Sequence, residues 1–486
     1  MSSLKNEWLG NIKGDLIGSI VVCMALIPEA IGFSIVAGVD PMVGVYSSFC
    51  LSLVTSIFGG RPGLISAAAG STALVLASLV KNYGIEYMFA ATILAGIIQV
   101  ILGFFKFGNL MKFIPKPVMT GFVNALGILM FKSQIGDFRG GIILLVLGAI
   151  GIFIIYMLPR LTKIIPSPIV SIIIITIIVK LFNIDVKTLG DMGEVTTDLP
   201  KFLIPSVPFN ISTLSIIFPY AISVALVGIV ESLLTSQLVD ELTDTSSNKN
   251  RECIGQGLGN LTCGFFGGIA GCGMIGQTII NNTYGGRGRL STLLAGTFML
   301  FSVIILNKFV TQIPVVALAS VMVVVAISTF NWSSIKRISK VPKSDTLVMI
   351  STVIIVLLTQ NLAYGVVIGI MISAIAFVSK ISHISVKKYE ENGNITYKVN
   401  GQLFFVSTTK FIDSFNYNDK ANVIDIDFDS CKVWDESAVD AIDKVIIKYN
   451  KNNIKVNLIG LSKESLKLID NMSTYNKLDN LDMGAD

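Results

Sequence analysis

The stretch Thr92-Ile-Leu-Ala-Gly96 comes back as Thr292-Leu-Leu-Ala-Gly296, Ile114-Pro115 as Ile313-Pro314, and Pro28-Glu29 as Val230-Glu231. The members of each pair lie about 200 residues apart, so the first ~380 residues read as one unit written twice. Both copies are mostly apolar, and each holds a glutamate inside an apolar run. Two copies of a membrane unit around a polar midplane is how many secondary transporters are built.

Apolar side chains make up 52% of the 486 residues and charged ones 14%. Soluble proteins carry about a quarter of their residues as charges, so this composition is that of an integral membrane protein. The net charge of +5 is spread over short loops and forms no stripe, which excludes a nucleic-acid surface. Six cysteines (Cys23, Cys50, Cys253, Cys263, Cys272, Cys431) show no paired metal spacing and read as small packing residues. The first ten residues lack a signal peptide's apolar core, so the first span is expected to act as its own address.

A bilayer crossing takes about 20 apolar residues. Clear runs cover 12–32, 41–58, 86–105, 117–136, 140–158, 167–183, 213–239, 289–306, 313–329, 345–360 and 362–380. Two glycine-rich regions are weaker: 63–80 is expected to hold one short span, and 253–284 one full and one short span. The expectation is an α-helical polytopic protein of 14 transmembrane segments, seven per copy. An odd number inverts the second copy against the first. Loop basics (Arg61, Lys106, Lys112, Lys116, Arg160, Lys163, Lys249, Arg251, Arg287, Arg289 and 336–343) fall on the starting side. The loop 184–212, with Asp185, Asp191, Glu194 and Asp198, falls on the other. This bias predicts cytoplasmic termini in a cell (inner) membrane. The domains read as 1–190 (first repeat, spans 1–7), 191–212 (extracytoplasmic loop), 213–382 (second repeat, spans 8–14) and 389–486 (a small cytoplasmic α/β domain). In that tail, alternation predicts strands at 397–406, 422–428 and 454–459, with a helix over 435–450 led by Asp435.

A half-helix that begins at mid-membrane aims unpaired N–H groups and about half a positive charge at whatever faces it. Two such ends make an anion site without an arginine. Ala68, Ala69, Gly70 and Ser71 are expected to start one; Met274, Ile275, Gly276, Gln277 and Thr278 start the other. Extended approaches are expected at 64–66 and 268–270. Glycines in one such segment serve close packing equally well; their matched placement in two repeats favours a site.

A carboxylate at a helix centre costs about 2.5–3.5 kcal/mol on insertion scales. Glu231 is therefore expected to face a cavity, carrying a proton or binding Na+ with help from Ser232 or Thr235. A structural acid bonded to nearby backbone is the plain alternative. Glu29 follows Pro28, which frees a carbonyl, and reads as a site acid or as a structural partner. Asn124, Gln134, Gln256, Asn260, Asn281 and Asn282 read as interhelical hydrogen-bonders. Arg287 and Arg289 read as boundary markers and His383 as a solvated linker residue. The sequence carries no Ser-His-Asp set, metal cluster or phosphate loop, so neither an enzyme nor a cofactor beyond a coupling ion is expected.

Four stretches together resemble the sulfate permease (SulP) family. They are Asp15-Leu-Ile with the run from Ile27-Pro-Glu-Ala-Ile-Gly-Phe33 to Tyr46, Phe58-Gly-Gly-Arg-Pro-Gly-Leu-Ile-Ser-Ala-Ala-Ala69, Val230-Glu-Ser-Leu-Leu-Thr235, and Gly271-Cys-Gly-Met-Ile-Gly-Gln277 continuing to Arg287. The tail resembles the family's STAS domain. The resemblance implies a 14-span, seven-plus-seven inverted repeat, with a core of spans 1–4 and 8–11 and a gate of spans 5–7 and 12–14. It implies elevator-like, secondary active transport of sulfate, bicarbonate or a related oxyanion or dicarboxylate, coupled to H+ or Na+. It places anion contacts on Ala69, Gly70, Ser71, Met274, Ile275 and Gly276, the coupling acid on Glu231 and a cation position on Thr235. Glu29, Gln277 and Thr278 are secondary. It also implies a homodimer and a cytoplasmic regulator of the STAS domain, in which Ser437 aligns with a phosphorylated serine of anti-sigma antagonists. This chain departs from many members in having Gln277 where they have arginine, alanines at 67–69 where they have threonine or proline, and apolar Met274 and Ile275. Two rival readings are a nucleobase carrier of the same architecture and a membrane anion sensor that signals through its tail.

Overall fold

The computed structural model describes residues 2–109, 114–139, 141–161, 166–193, 196–391 and 394–473. Lys112, Lys163, Glu194 and the end of the tail, 474–486, lie outside the described residues. The first copy contains α1 (Ser2–Leu9), α2 (Ile12–Ala37), α3 (Pro41–Phe58), β1 (Ser66–Ala68), α4 (Gly70–Tyr83), α5 (Ile85–Phe104), α6 (Lys116–Gln134), α7 (Ile142–Leu161) and α8 (Ser167–Leu181). The second contains α9 (Ile211–Thr243), α10 (Lys249–Phe265), β2 (Gly271–Gly273), α11 (Ile275–Thr283), α12 (Arg289–Ile305), α13 (Asn307–Val310), α14 (Val315–Thr329), α15 (Trp332–Arg337), α16 (Lys343–Thr359) and α17 (Leu362–Ile381). The tail adds β3 (Ser385–Glu391), β4 (Asn394–Leu403), α18 (Thr408–Asp413), β5 (Val423–Val433), α19 (Glu436–Asn450), β6 (Lys455–Ile459) and α20 (Lys463–Met472).

The eleven clear apolar runs fall on α2, α3, α5 to α9, α12, α14, α16 and α17. Among the described residues, eight helical spans are long and apolar enough to cross a membrane: α2, α3, α5, α6 with its extension to Phe138, α7, α9, α14 continued through α15 (Val315–Arg337), and α17. Helices are the form such segments must take, because lipid offers no partner to a backbone N–H or C=O. The chain forms two compact units, which divide at Ile370 and Met371.

Glycine sets how closely the membrane helices approach. A Cβ on Gly96 of α5 would stand 2.5 Å from the Leu261 nitrogen of α10, and one on Gly257 would stand 2.6 Å from the Val100 nitrogen. The two helices therefore cross backbone to backbone. All six cysteines are buried and free, as packing residues.

The two weak regions break as extended segments. β1 and β2 pair antiparallel, with Ser66 opposite Gly273, Ala67 opposite Cys272 and Ala68 opposite Gly271. The sequence places these stretches at 64–66 and 268–270, two to three residues too early. The shift has a local cause: the Asn260 side chain takes both the N–H and the C=O of Gly271 (2.8 and 3.0 Å), which fixes where extended chain begins.

In the tail unit the strand order is β3-β4-β5-β6, antiparallel for the first pair and parallel for the other two. The sequence places three strands and a start at 389; the sheet has four and begins at Ser385. β3, Ser-Val-Lys-Lys-Tyr-Glu-Glu, is an edge strand with six of its seven residues exposed, so it lacks the apolar alternation by which strands are recognised. Asp435 caps α19 by accepting from the Ala438 N–H at 2.9 Å. His383 is exposed just ahead of β3.

The core of this unit gathers Tyr397, Phe411, Phe428, Ile442 and Tyr449. Burial pushes the phenols of Tyr397, Tyr417 and Tyr449 up, Tyr417 to about 12. The Asp419 carboxylate, which accepts from Tyr397 Oη at 2.6 Å, adds to the effect at Tyr397. The folded state thus holds these protons more tightly than the unfolded chain, whose tyrosines ionise near ~10. Stability from them is complete below that pH and is lost as pH rises toward the folded values. Thermal melts of a 383–473 fragment should fall steeply between about pH 10 and 12. The slope should shrink in Tyr417→Phe, and a flat profile across that window would contradict the assignment.

Candidate functional site

α4 and α11 both begin inside the membrane unit, directly after β1 and β2. Their N-caps, Ala69 and Met274, are extended, and neither helix start is capped by a side chain. The first intrahelical bonds run from Ala73 N to Ala69 O (3.0 Å) and from Thr278 N to Met274 O (3.1 Å). The N–H groups of Gly70, Ser71 and Thr72, and of Ile275, Gly276 and Gln277, precede them and carry each helix's positive end. Because the strands are antiparallel, the two starts leave opposite ends of a three-residue ladder, roughly 10 Å apart at ~3.3 Å per residue.

Both starts open into one cavity of about 680 Å³. Of the residues expected at a site, it brings together Glu29, Ala69, Gly70, Ser71, Glu231, Met274, Ile275, Gly276 and Gln277. Thr235 and Thr278 do not line it. The Thr235 hydroxyl donates to Glu231 O and Gly273 O, both at 2.9 Å, and ties α9 to β2. The Thr278 hydroxyl accepts from Ile65 N at 3.0 Å and ties α11 to β1.

The two carboxylates are held reciprocally. Glu231, on the first helix of the second copy, accepts from Ser71 Oγ on the half-helix of the first copy. Cys272 Sγ lies 3.1 Å from the same oxygen. Glu29, on α2, the first long helix of the first copy, accepts from Gln277 Nε2 on the half-helix of the second. Gln277 is therefore engaged with Glu29 at the position where many family members carry arginine. Among the described residues, no lysine or arginine lines the cavity and its ionisable lining groups are these two carboxylates, so its positive field comes from backbone.

Several contributors escape sequence reasoning. Phe33 and Met130 line the cavity and close over the start of α4; a Cβ on Gly70 would sit 2.8 Å from Phe33 and 3.2 Å from Met130. Phe33 stands four residues after Glu29 on α2, so the helical repeat carries a signal for it. Met130 and Trp332 come from α6 and α15, and no local pattern marks them. Of the polar residues read as interhelical bonders, Asn124 donates across to Ser334 Oγ (2.9 Å), whereas Gln134 donates to Ser133 Oγ (2.9 Å) and Asn282 to Thr278 O (2.8 Å) within their own helices, and the other three bond across elements. Asn260 Nδ2 also donates to Gln99 Oε1 (2.8 Å), Gln256 Nε2 to Ser66 Oγ (2.5 Å) and Asn281 Nδ2 to Gly63 O (2.9 Å). Arg289, read as a boundary marker, is buried: it pairs with Glu7 at 2.7 Å and donates to Ser56 O and Gly59 O at the end of α3.

This is the fold of a helical membrane transporter. The solved transmembrane domain of a cyanobacterial bicarbonate transporter, BicA, superposes with a TM-score of 0.66 at 26% identity, over 75% of this chain and 97% of that one. Murine Slc26a9, an anion transporter solved in its inward-facing state, superposes at 0.81 over 96% of this chain and 87% of its own, at 16% identity. The chain belongs to the sulfate permease family, whose model matches residues 12–143 and 140–352, and it carries a STAS domain over residues 385–482. The sulfate-transporter candidate YbaR of Bacillus subtilis (strain 168) is 51% identical over 473 residues, 97% of this chain and 99% of its own length. The bicarbonate transporter BicA of Picosynechococcus sp. is 28% identical over 414 residues, 78% of this chain and 72% of its own.

Two glycines separate support from space. A Cβ on Gly271 would fall 2.0 Å from the Ala67 carbonyl oxygen, inside the ladder, whereas a Cβ on Gly276 meets nothing within 4 Å. Gly271→Ala should cost about 1–3 kcal/mol, as other overpacked sites do, and lower the thermal midpoint in detergent. Gly276→Ala should leave the midpoint unchanged. Equal midpoints for the two variants would refute this placement of the ladder.

Proposed function

We propose that the protein is a secondary active transporter of small inorganic oxyanions, of the sulfate and bicarbonate class, driven by H+. The observation that carries this reading is the cavity itself: two uncapped helix starts, two carboxylates and, among the described residues, no cationic side chain. The helix ends supply about half a positive charge each. Two ionised carboxylates would outweigh them, so an anion is held only when the carboxyls carry protons. The anion and the proton therefore favour each other's binding, which is the thermodynamic content of symport. Na+ fits less well, since a hard cation takes several oxygen ligands and the neighbours of Glu231 here include a thiol and the apolar Met274 and Ile275. The names of the relatives point to the same substrate class.

On this reading Glu231 is the coupling acid, and the backbone of 69–71 and 274–276 contacts the anion. The chain crosses the membrane 14 times, and a core that carries both half-helices moves against a gate in an elevator-like step. The protein works as a homodimer, with its tail on the cytoplasmic side as a regulator's docking module. Exposed Phe405 and Trp434, beside the start of α19, support that last role.

Counterflow in proteoliposomes with labelled sulfate, bicarbonate and fumarate, under imposed H+ or Na+ gradients, tests the proposal. Glu231→Gln should reduce pH-gradient-driven uptake at least about tenfold, ~1.4 kcal/mol, while leaving counterflow measurable. Uptake that still follows the pH gradient in this variant would remove Glu231 from coupling. Ser71→Leu should abolish substrate affinity, and wild-type counterflow in it would remove the site. Tight anion binding with no flux in the wild type would favour the sensor.

A further inference from the structure

A second cavity, of about 730 Å³, lies where α1, the loop after α3, the α9–α10 turn and the α11–α12 turn meet. It shares no lining residue with the cavity between the half-helices. Four arginines line it, Arg61, Arg251, Arg287 and Arg289, against one carboxylate, Glu7.

The charges are incompletely matched. Arg289 pairs with Glu7, and Arg61 with Asp240 at 3.0 Å. Arg251 Nε and Nη2 donate to the carbonyls of Phe58 and Ile57, both at 3.2 Å, which caps α3 and leaves its charge without a counterion. Arg251 and Arg287 have no carboxylate partner among the described residues, and both are exposed. The Arg61 side chain is only 8% exposed, yet its buried Nε has no hydrogen-bond partner. The Arg61 charge faces Asp240 and Glu252, so the arginines of this cavity whose charge lacks a carboxylate partner among the described residues are Arg251 and Arg287. Hydroxyls of Thr243, Thr245 and Ser247 line the same walls. Tetrahedral oxyanions fit such a set, because guanidinium groups bind phosphate oxygens in pairs and hydroxyls fill the remaining lone pairs.

We infer that this cavity is a second anion site, built for a phosphate group and separate from the cavity between the half-helices. An occupant there touches the loop that leads into β1 and the turn that leaves α11, so it acts on the scaffold of both half-helices. The group has two sources, a free phosphorylated solute or an anionic lipid head group.

The test uses the full-length protein in nanodiscs. In one arm, phosphatidylcholine discs are titrated with pyrophosphate at constant ionic strength and followed by calorimetry. In the other, discs with and without phosphatidic acid are compared by thermal unfolding. Arg251→Gln and Arg287→Gln alter exposed side chains, and their folding is checked by size exclusion. The double variant should weaken pyrophosphate binding at least about tenfold, as expected for two lost charge-assisted contacts. Ser71→Leu should leave that binding unchanged, which separates this site from the one proposed for transport. Stabilisation by phosphatidic acid alone, lost in the double variant, would confirm the site and identify the lipid source. The inference is overturned if neither arm responds to the double variant, or if Ser71→Leu abolishes pyrophosphate binding while the double variant keeps it.

Discussion

Extended backbone in the middle of a membrane unit must find a partner for every N–H and C=O, and the arrangement of the site follows from how this chain does so. The ladder between β1 and β2 supplies the first partners. Side chains supply the rest: Ser48 takes the Ala68 N–H, Ser52 the Ser66 carbonyl, Thr292 the Leu64 carbonyl, Thr72 the Ala270 carbonyl and Ser232 the Gly273 N–H. Asn260 serves both groups of Gly271. What stays open is the first turn of α4 and of α11, and both open turns face the same cavity. The positive field there is a consequence of satisfying every neighbouring group and leaving these.

The cross-pairing of the acids follows from the same ladder. Each half-helix starts beside the strand of the other copy, so its first turn lies against the other copy's first long helix. Ser71 thereby reaches Glu231, and Gln277 reaches Glu29. Each copy thus supplies the donor for the other copy's buried acid, which without a donor would be a costly arrangement.

Much of this was legible in the chain because the chemistry is local. The repeated Thr92–Gly96 and Thr292–Gly296 stretches, the glycines around 70 and 276, and Glu231 within an apolar run are all sequence-adjacent signals. What escaped depends on partners far along the chain. The three-residue offset of β2 is fixed by Asn260, eleven residues upstream. Arg289 looks like a boundary residue until Glu7 and the end of α3 close around it. Met130 and Trp332 reach the cavity only through packing. Thr235 and Thr278 have side chains suited to ligand contact, but tertiary structure commits their hydroxyls to backbone. Strand β3 was invisible because an edge strand has little to bury.

The position of Gln277 has the widest consequence. An arginine there would bring a fixed positive charge into the cavity and neutralise Glu29 permanently. Glutamine holds the same carboxylate by a neutral hydrogen bond and brings no charge of its own. Among the described residues the cavity then has no cationic side chain, and on the proposed reading its net charge is set by the protonation of two acids against two helix ends. If protonation raises anion affinity by some factor, the anion raises proton affinity by the same factor. On the proposed reading, a site built this way holds an anion only together with protons, whereas a site with a fixed arginine need not. On the proposed reading, the exchange of one residue type at position 277 decides between a carrier whose substrate binding is tied to proton uptake and one whose binding is not.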